Sequence, residues 1–184
     1  FTLLLALVRK LHPAIHDATQ GIWSRERHTG FQLLGKTFGV LGLGRLGTIS
    51  ARIANGFGMR VFAHDVRDVT APGVTMVDFA TLLREADVLS IHVHLTPETK
   101  GLLDAAALAQ MKSGAILLNT SRGKIVDEVA LLDALQSGRL GGAGLDVIDG
   151  EWLSNEERRQ HPLIAYAREH DNLLITPHIA SCTT

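Results

Sequence analysis

One cysteine, Cys182, occurs in 184 residues, so no intramolecular disulfide can form. Such sparing use of cysteine fits a reducing, cytoplasmic setting. A charge excess of either sign is also missing. Eighteen Lys and Arg stand against nineteen Asp and Glu, a formal net charge of −1. That balance gives no electrostatic footprint for nucleic acid or for an acidic membrane surface. No apolar run can span a membrane: Phe1–Val8 falls far short of the ~20 residues a bilayer needs. It also lacks the basic lead-in and cleavage site of a signal peptide. Repeats, low-complexity tracts and long linkers are absent as well. What remains, with 46% apolar and 20% charged residues, is an ordinary globular balance sized for one domain. Small molecules are the ligands left open.

From Phe1 to about Ala18 the residues Leu4, Leu7, Val8, Leu11 and Ile15 recur at helical spacing. The spacing predicts one helix kinked at Pro13, followed over 20–34 by an extended loop carrying Trp23 and Phe31. Beyond Gly35 a regular alternation begins. Apolar runs at Thr37–Leu41, Arg60–Ala63, Val88–Val93, Ala115–Asn119, Gly142–Val147 and Leu173–Thr176 read as six strands. Helices are expected at Leu46–Phe57, Phe79–Arg84, Asp104–Met111 and Asp127–Ser137, with a polar loop from Gly150 to Asp171 that holds a helical turn near Pro162–Arg168. Strands so uniformly apolar, separated by helices, imply an α/β fold: a doubly wound parallel sheet covered on both faces, of the Rossmann dinucleotide-binding type. The expected organisation is a single unit, residues 1–184, with 1–34 a helix and interface loop and 35–184 the Rossmann core. Ligands of such sheets bind beyond the carboxyl ends of the strands.

Gly42-Leu43-Gly44-Arg45-Leu46-Gly47 follows the first of these strands and opens the first long helix. By itself a G-x-G-x-x-G is weak in a chain with 18 glycines, but the strand–turn–helix setting is the one that gives it meaning. Gly42 permits the tight turn, Gly44 lets backbone approach a pyrophosphate, and Gly47 lets helix and strand pack closely. The helix N-terminus, at Arg45 and Leu46, offers unpaired N–H groups to the phosphates. Asp65 ends the second strand eighteen residues after Gly47, where a carboxylate meets the adenosine ribose. It favours NAD over NADP, and the neighbouring Arg67 softens that preference.

Three later strands each deliver a polar group past their carboxyl ends: Thr120-Ser121-Arg122, then Asp146 and Glu151, then Pro177-His178. Their chemistry fits one reaction. A histidine suits removal of a hydroxyl proton, a carboxylate beside it orients the ring, and an arginine grips a substrate carboxylate with two parallel hydrogen bonds.

At these residues the chain resembles the D-isomer-specific 2-hydroxyacid dehydrogenases. The resemblance rests on GLGRLG at 42–47, the strand end at Asp65, HLTPETKGLL at 94–103, NTSRGKIVDEVAL at 119–131, GAGLDV at 142–147 and TPHIA at 176–180. It implies that Arg122, Glu151 and His178 are the catalytic arginine, glutamate and histidine. It also implies that Arg45, Leu46, Asp65, Thr96, Thr120, Ser121, Arg122, Asp146 and His178 border NAD, with Asp146 near the nicotinamide. The family's proline after the glutamate is missing here, where Trp152 follows Glu151. Asp149 therefore competes with Glu151 as partner of His178.

Plainer roles are expected elsewhere. His92 and His94 alternate like two ligands on one strand face, yet no third ligand follows, so no metal site is expected. His12, His16, His28, His161 and His170 read as surface or interface residues, and Asp127-Glu128 as a cap of the following helix. The resemblance implies a small 2-hydroxy or 2-keto acid as substrate and a homodimer formed through the nucleotide domain, with helix 1–18 and the Trp23 loop as candidate surface. A start at Phe1 and a stop soon after TPHIA suggest a fragment, with most substrate-selecting residues outside the sequence and little turnover by this piece alone. An NAD(H)-sensing corepressor module on the same scaffold is the competing function. A formate-type dehydrogenase is a weaker one, disfavoured by Glu151.

Overall fold

The computed structural model describes residues 1–182. Its centre is a seven-stranded, all-parallel sheet in the order β3-β2-β1-β4-β5-β6-β7. The strands are β1 (Thr37–Leu41), β2 (Arg60–His64), β3 (Thr75–Met76), β4 (Val88–Ile91), β5 (Ala115–Asn119), β6 (Leu140–Leu145) and β7 (Leu173–Ile175). The order reverses between β1 and β4, which opens a crevice at their carboxyl ends.

Helices cover both faces. The chain begins with α1 (Thr2–Val8) and α2 (Leu11–Thr19), and α3 (Arg45–Gly56) follows β1. Then come α4 (Phe79–Glu85), α5 (Ala105–Gln110), α6 (Glu128–Gln136), α7 (Asn155–Arg159) and α8 (Pro162–Glu169). Adjacent strand residues point to opposite faces, so the core divides in two. Phe38, Val40, Val88, Ile116 and Leu118 face α1 and α3 with Leu4, Val8, Ala51 and Ala54. Leu41, Leu89, Ile91 and Leu117 face α4, α5, α6 and α8 with Leu82, Leu108, Leu131 and Leu163. The glycines of β6 have a purpose here. A Cβ on Gly144 would lie 2.9 Å from Leu3 Cβ, so the bare strand is what lets α1 settle on the sheet.

Several expectations are corrected. The N-terminal helix breaks at Lys10, whose φ is 48°, and not at Pro13, which sits in the first turn of α2 where its missing N–H costs nothing. The α1 half is core, with Leu4 fully buried, whereas Leu11 and Ile15 of α2 are half exposed. The two-residue edge strand β3 and the capped α7 carry too few apolar residues to signal themselves. β4 ends at Ile91, so His92 and His94 do not share a strand face. β6 covers Leu140–Leu145, starting and stopping two residues earlier than the apolar pattern suggests. The cap expected at Asp127 forms on α6, and Asp78 and Asp104 likewise accept from first-turn N–H groups of α4 and α5.

Candidate active site and cofactor cradle

The turn from β1 into α3 is shaped by steric necessity. Gly42 has φ 95°, and a Cβ there would lie 2.8 Å from Val93 Cγ1, so the turn tolerates no side chain. At Gly47 a Cβ would lie 2.1 Å from the Gly42 carbonyl oxygen, which brings α3 directly against the turn. Gly44 is different: the space its Cβ would enter is open, with the Arg67 guanidinium 3.9 Å off as its neighbour. No side chain caps α3, so the first-turn N–H groups around Arg45, Leu46 and Gly47 face that space. Arg45 and Leu46 are exposed. An open cradle lined by backbone donors at a twelve-residue helix fits a dinucleotide pyrophosphate.

Asp65 sits beside this cradle and faces into the protein's own loop. Its Oδ2 accepts from Leu43 N at 2.8 Å, and Arg67 donates to it through backbone N, Nε and Nη2, each at 2.9 Å. The Arg67 hydrogen bonds, more than offsetting partial burial, hold this carboxyl down at about 2. At the end of β4, burial lowers His92 to about 4, so its ring is neutral and pairs with Ser90 Oγ at 2.9 Å. Thr96 is exposed in a turn that its neighbour closes: the Thr99 hydroxyl accepts from Thr96 N at 2.8 Å and donates to the His94 carbonyl at 2.6 Å.

On the other side of the crevice the β5 end is built by Asn119, which is 1% exposed. Its Nδ2 donates to the Arg122 carbonyl and its Oδ1 accepts from Ser121 N, while Ser121 Oγ donates to the Ile91 carbonyl. This clasp leaves Thr120 and Arg122 exposed at the rim. Arg122 Nη1 donates to the Ser121 carbonyl at 2.6 Å, and among the described residues no hydrogen bond or ion pair joins it to Glu151 or His178. The link between the two loops is steric instead. A Cβ on Gly123 would fall 2.2 Å from the carbonyl carbon of Ile148, so the Arg122 corner rests on the segment leading to Glu151.

His178 follows β7 in the left-handed region, φ 55°. Its Nδ1 lies 2.9 Å from Glu151 Oε2. With Nδ1–H donating to the carboxylate, Nε2 is the ring nitrogen left for other chemistry. Asp149 turns away, half exposed, with Oδ1 3.6 Å from Lys124 Nζ. Asp146 is 2% exposed and buttresses the histidine loop. Its Oδ1 accepts from Thr176 Oγ1 at 2.5 Å and Ile179 N at 2.9 Å, its Oδ2 from Ala180 N at 2.8 Å. A cleft of about 890 Å³ opens in front of Asp146, Glu151, Trp152 and His178, with Leu11 and Ile15 on its far wall.

A further set of residues escaped the sequence. Glu128, in the first turn of α6, also reaches beyond its helix: Oε1 accepts from Asp149 N at 2.7 Å, and Oε2 lies 3.1 Å from His161 Nε2. His161 Nε2 also reaches the Asp149 carbonyl at 2.9 Å, and with a side chain only 10% exposed it is not a surface histidine. Burial raises the Glu128 carboxyl above its ordinary value. Arg158 Nη2 donates to the Glu151 carbonyl at 2.9 Å. Together they clamp the segment that carries Glu151. His28, paired with Asp17 at 3.1 Å, is likewise no free surface group.

Comparison with known proteins places this arrangement. The family model for the D-isomer specific 2-hydroxyacid dehydrogenase NAD binding domain matches residues 1–180. D-3-phosphoglycerate dehydrogenase of Archaeoglobus fulgidus is 41% identical over 98% of the chain and 34% of its own length. Hydroxypyruvate reductase of Thermotoga maritima is 38% identical over 98% of the chain and 58% of its own length. Among solved structures, D-lactate dehydrogenase from Aquifex aeolicus complexed with NAD and lactic acid aligns over 100% of this chain and 58% of that one. Its TM-score is 0.90 at 34% identity. The chain thus spans a third to three fifths of the length of these relatives. With the glycine cradle, the sheet order and the match over nearly all its residues, the chain belongs to the D-isomer-specific 2-hydroxyacid dehydrogenase family, as its NAD-binding domain.

Proposed function

We propose that this chain supplies the NAD site and the proton-transfer pair of an oxidoreductase acting on a small D-2-hydroxy acid or its 2-keto counterpart. The observation that carries the reading is the 2.9 Å contact between His178 Nδ1 and Glu151 Oε2 at the carboxyl edge of the sheet. The nicotinamide, when bound, supplies the hydride acceptor or donor. The protein's part is to manage the proton and the acid. In the oxidative direction His178 Nε2 takes the proton of the C2 hydroxyl while the C2–H bond yields its hydride, leaving a ketone. In the reductive direction the imidazolium returns that proton to the carbonyl oxygen. Glu151 fixes the ring and stabilises the imidazolium, which Nδ1 can do only as a donor. Arg122, exposed at the rim, is suited to clamp the substrate carboxylate by two parallel hydrogen bonds. Thr96, Thr120, Ser121 and Asp146 belong to the loops that border the cofactor, Ser121 and Asp146 by holding those loops in shape.

Because the chain spans only part of its relatives' length, the 184 residues alone are expected to bind NADH and to turn over slowly. The deciding experiment gives NADH and a panel of short 2-keto acids to the full-length protein. Loss of NADH absorbance with at least one acid is expected, with His178→Ala lowering kcat by about 10²–10⁴-fold while NADH binding is retained. Failure with every acid in a folded, NADH-binding protein refutes it. An NAD(H)-sensing module has no support in the relatives and no need of the Glu151–His178 contact.

Half-exposed Leu11 and Ile15, with Trp23 87% exposed, make α2 and its following loop the face we assign to a second copy of the chain. Sedimentation of wild type against Trp23→Ser checks that dimer. Among the described residues no helix is long and apolar enough to cross a membrane. The lone cysteine fits a cytoplasmic setting.

A further inference from the structure

At the end of β2 a carboxylate ordinarily accepts hydrogen bonds from the adenosine ribose hydroxyls and repels a 2′-phosphate. In this chain that carboxylate has no acceptor position left. Asp65 Oδ1 takes Arg67 N and Nε, and Oδ2 takes Leu43 N and Arg67 Nη2, all within 2.8–2.9 Å. A carboxylate offers about four lone-pair positions, and these four donors fill them.

Arg67 therefore lies across Asp65 and covers it. The guanidinium side chain is 61% exposed while the carboxylate beneath keeps 6%. Its Nη2 stands 3.9 Å from where a Gly44 Cβ would be, so the guanidinium borders the open space of the dinucleotide cradle. Only one of its edges is used: among the described residues Nη1 has no hydrogen-bond partner.

We propose that Arg67, not Asp65, reads the 2′ position of the adenosine ribose, and that the chain binds 2′-phosphorylated nicotinamide dinucleotide as well as NAD. The inference rests on the NAD site described above and extends it. The bidentate pair with Asp65 fixes the guanidinium plane, so little side-chain freedom is lost when a second anion meets its outer edge. Arg67 also cancels the carboxylate's charge at close range, removing the repulsion that would exclude a 2′-phosphate. An unphosphorylated ribose accepts from the same edge through its hydroxyl oxygens, which keeps NAD binding intact.

The test titrates NADH and NADPH separately into this chain by dinucleotide fluorescence, for wild type, Arg67→Ala and Arg67→Lys, at low and high salt. Wild type is expected to bind the two within about tenfold of each other. Arg67→Ala should raise the NADPH-to-NADH ratio of Kd by at least about tenfold through lost NADPH binding, with Arg67→Lys recovering part of it. Raised salt should erode NADPH binding more than NADH binding in wild type, and this difference should shrink in Arg67→Ala. A ratio that changes less or falls in Arg67→Ala, or that rises only because NADH binds more tightly to an uncovered Asp65, overturns the proposal. Arg67 is mostly exposed, and NADH binding by the variant reports that it is folded. If wild type binds neither dinucleotide, the NAD site itself fails, an outcome distinct from NADH binding without a change in ratio.

Discussion

Replacing Asp146 by Asn probes how the histidine loop is held. The side chain is 2% exposed and accepts from three donors, Thr176 Oγ1, Ile179 N and Ala180 N. An amide has one oxygen. Its best placement puts that oxygen where Oδ1 was, keeping Thr176 and Ile179, and turns the NH₂ against the Ala180 N–H, donor against donor at 2.8 Å. The other rotamer turns the NH₂ against the Ile179 N–H and forces the Thr176 hydroxyl to reverse and accept, a larger disturbance. The smaller loss is one part-buried, charge-assisted hydrogen bond, about 1.5–3 kcal/mol. For a chain of this size that lowers Tm by about 4–10 °C. Because the defect is local, the Ile179 and Ala180 amides should exchange with deuterium about tenfold to a hundredfold faster, while β1 and β2 amides change only with global stability. Scanning calorimetry and residue-resolved hydrogen exchange read both. A Tm within about 1 °C of wild type, with unchanged protection at 179 and 180, would refute the assignment of Asp146 as the buttress of His178.

Gly47→Ala should abolish measurable NADH binding and destabilise the chain, since its Cβ has only 2.1 Å to the Gly42 carbonyl oxygen and that neighbour is backbone; titration and denaturation check it. Glu128→Ala frees Asp149 N and His161, and should reduce kcat of the full-length protein by about tenfold to a hundredfold with little change in NADH Kd. Equal losses in both would place Glu128 in general stability instead. At low pH, Asp65 binds fewer protons folded than unfolded, its value lowered from 3.8 to about 2. The stability it contributes is complete above about pH 4 and drains as pH falls toward 2. Acid denaturation of Asp65→Asn should lack that component, which parallel acid titrations of the two proteins will show.

Reading the sequence recovered whatever is decided by neighbours in the chain. The strand–turn–helix around Gly42 and the Asp127 cap of α6 depend on contacts within a few residues, and six apolar runs imply a sheet buried on both faces. Elements with little apolar patterning escaped, β3 among them, and the break at Lys10 was hidden because Pro13 sits harmlessly in a first helical turn.

The tertiary structure alone decided which side chains meet across long separations. The sequence favours Glu151 over Asp149 but leaves both carboxylates open; the path of the loop, clamped by Glu128, His161 and Arg158, turns Glu151 to His178 and Asp149 to Lys124. Asp65 lies where its spacing from Gly47 put it, but what it offers a ligand depends on four donors brought to it by folding. Periodicity and spacing report backbone geometry, which is local. Which lone pairs remain free is settled by everything that packs around them.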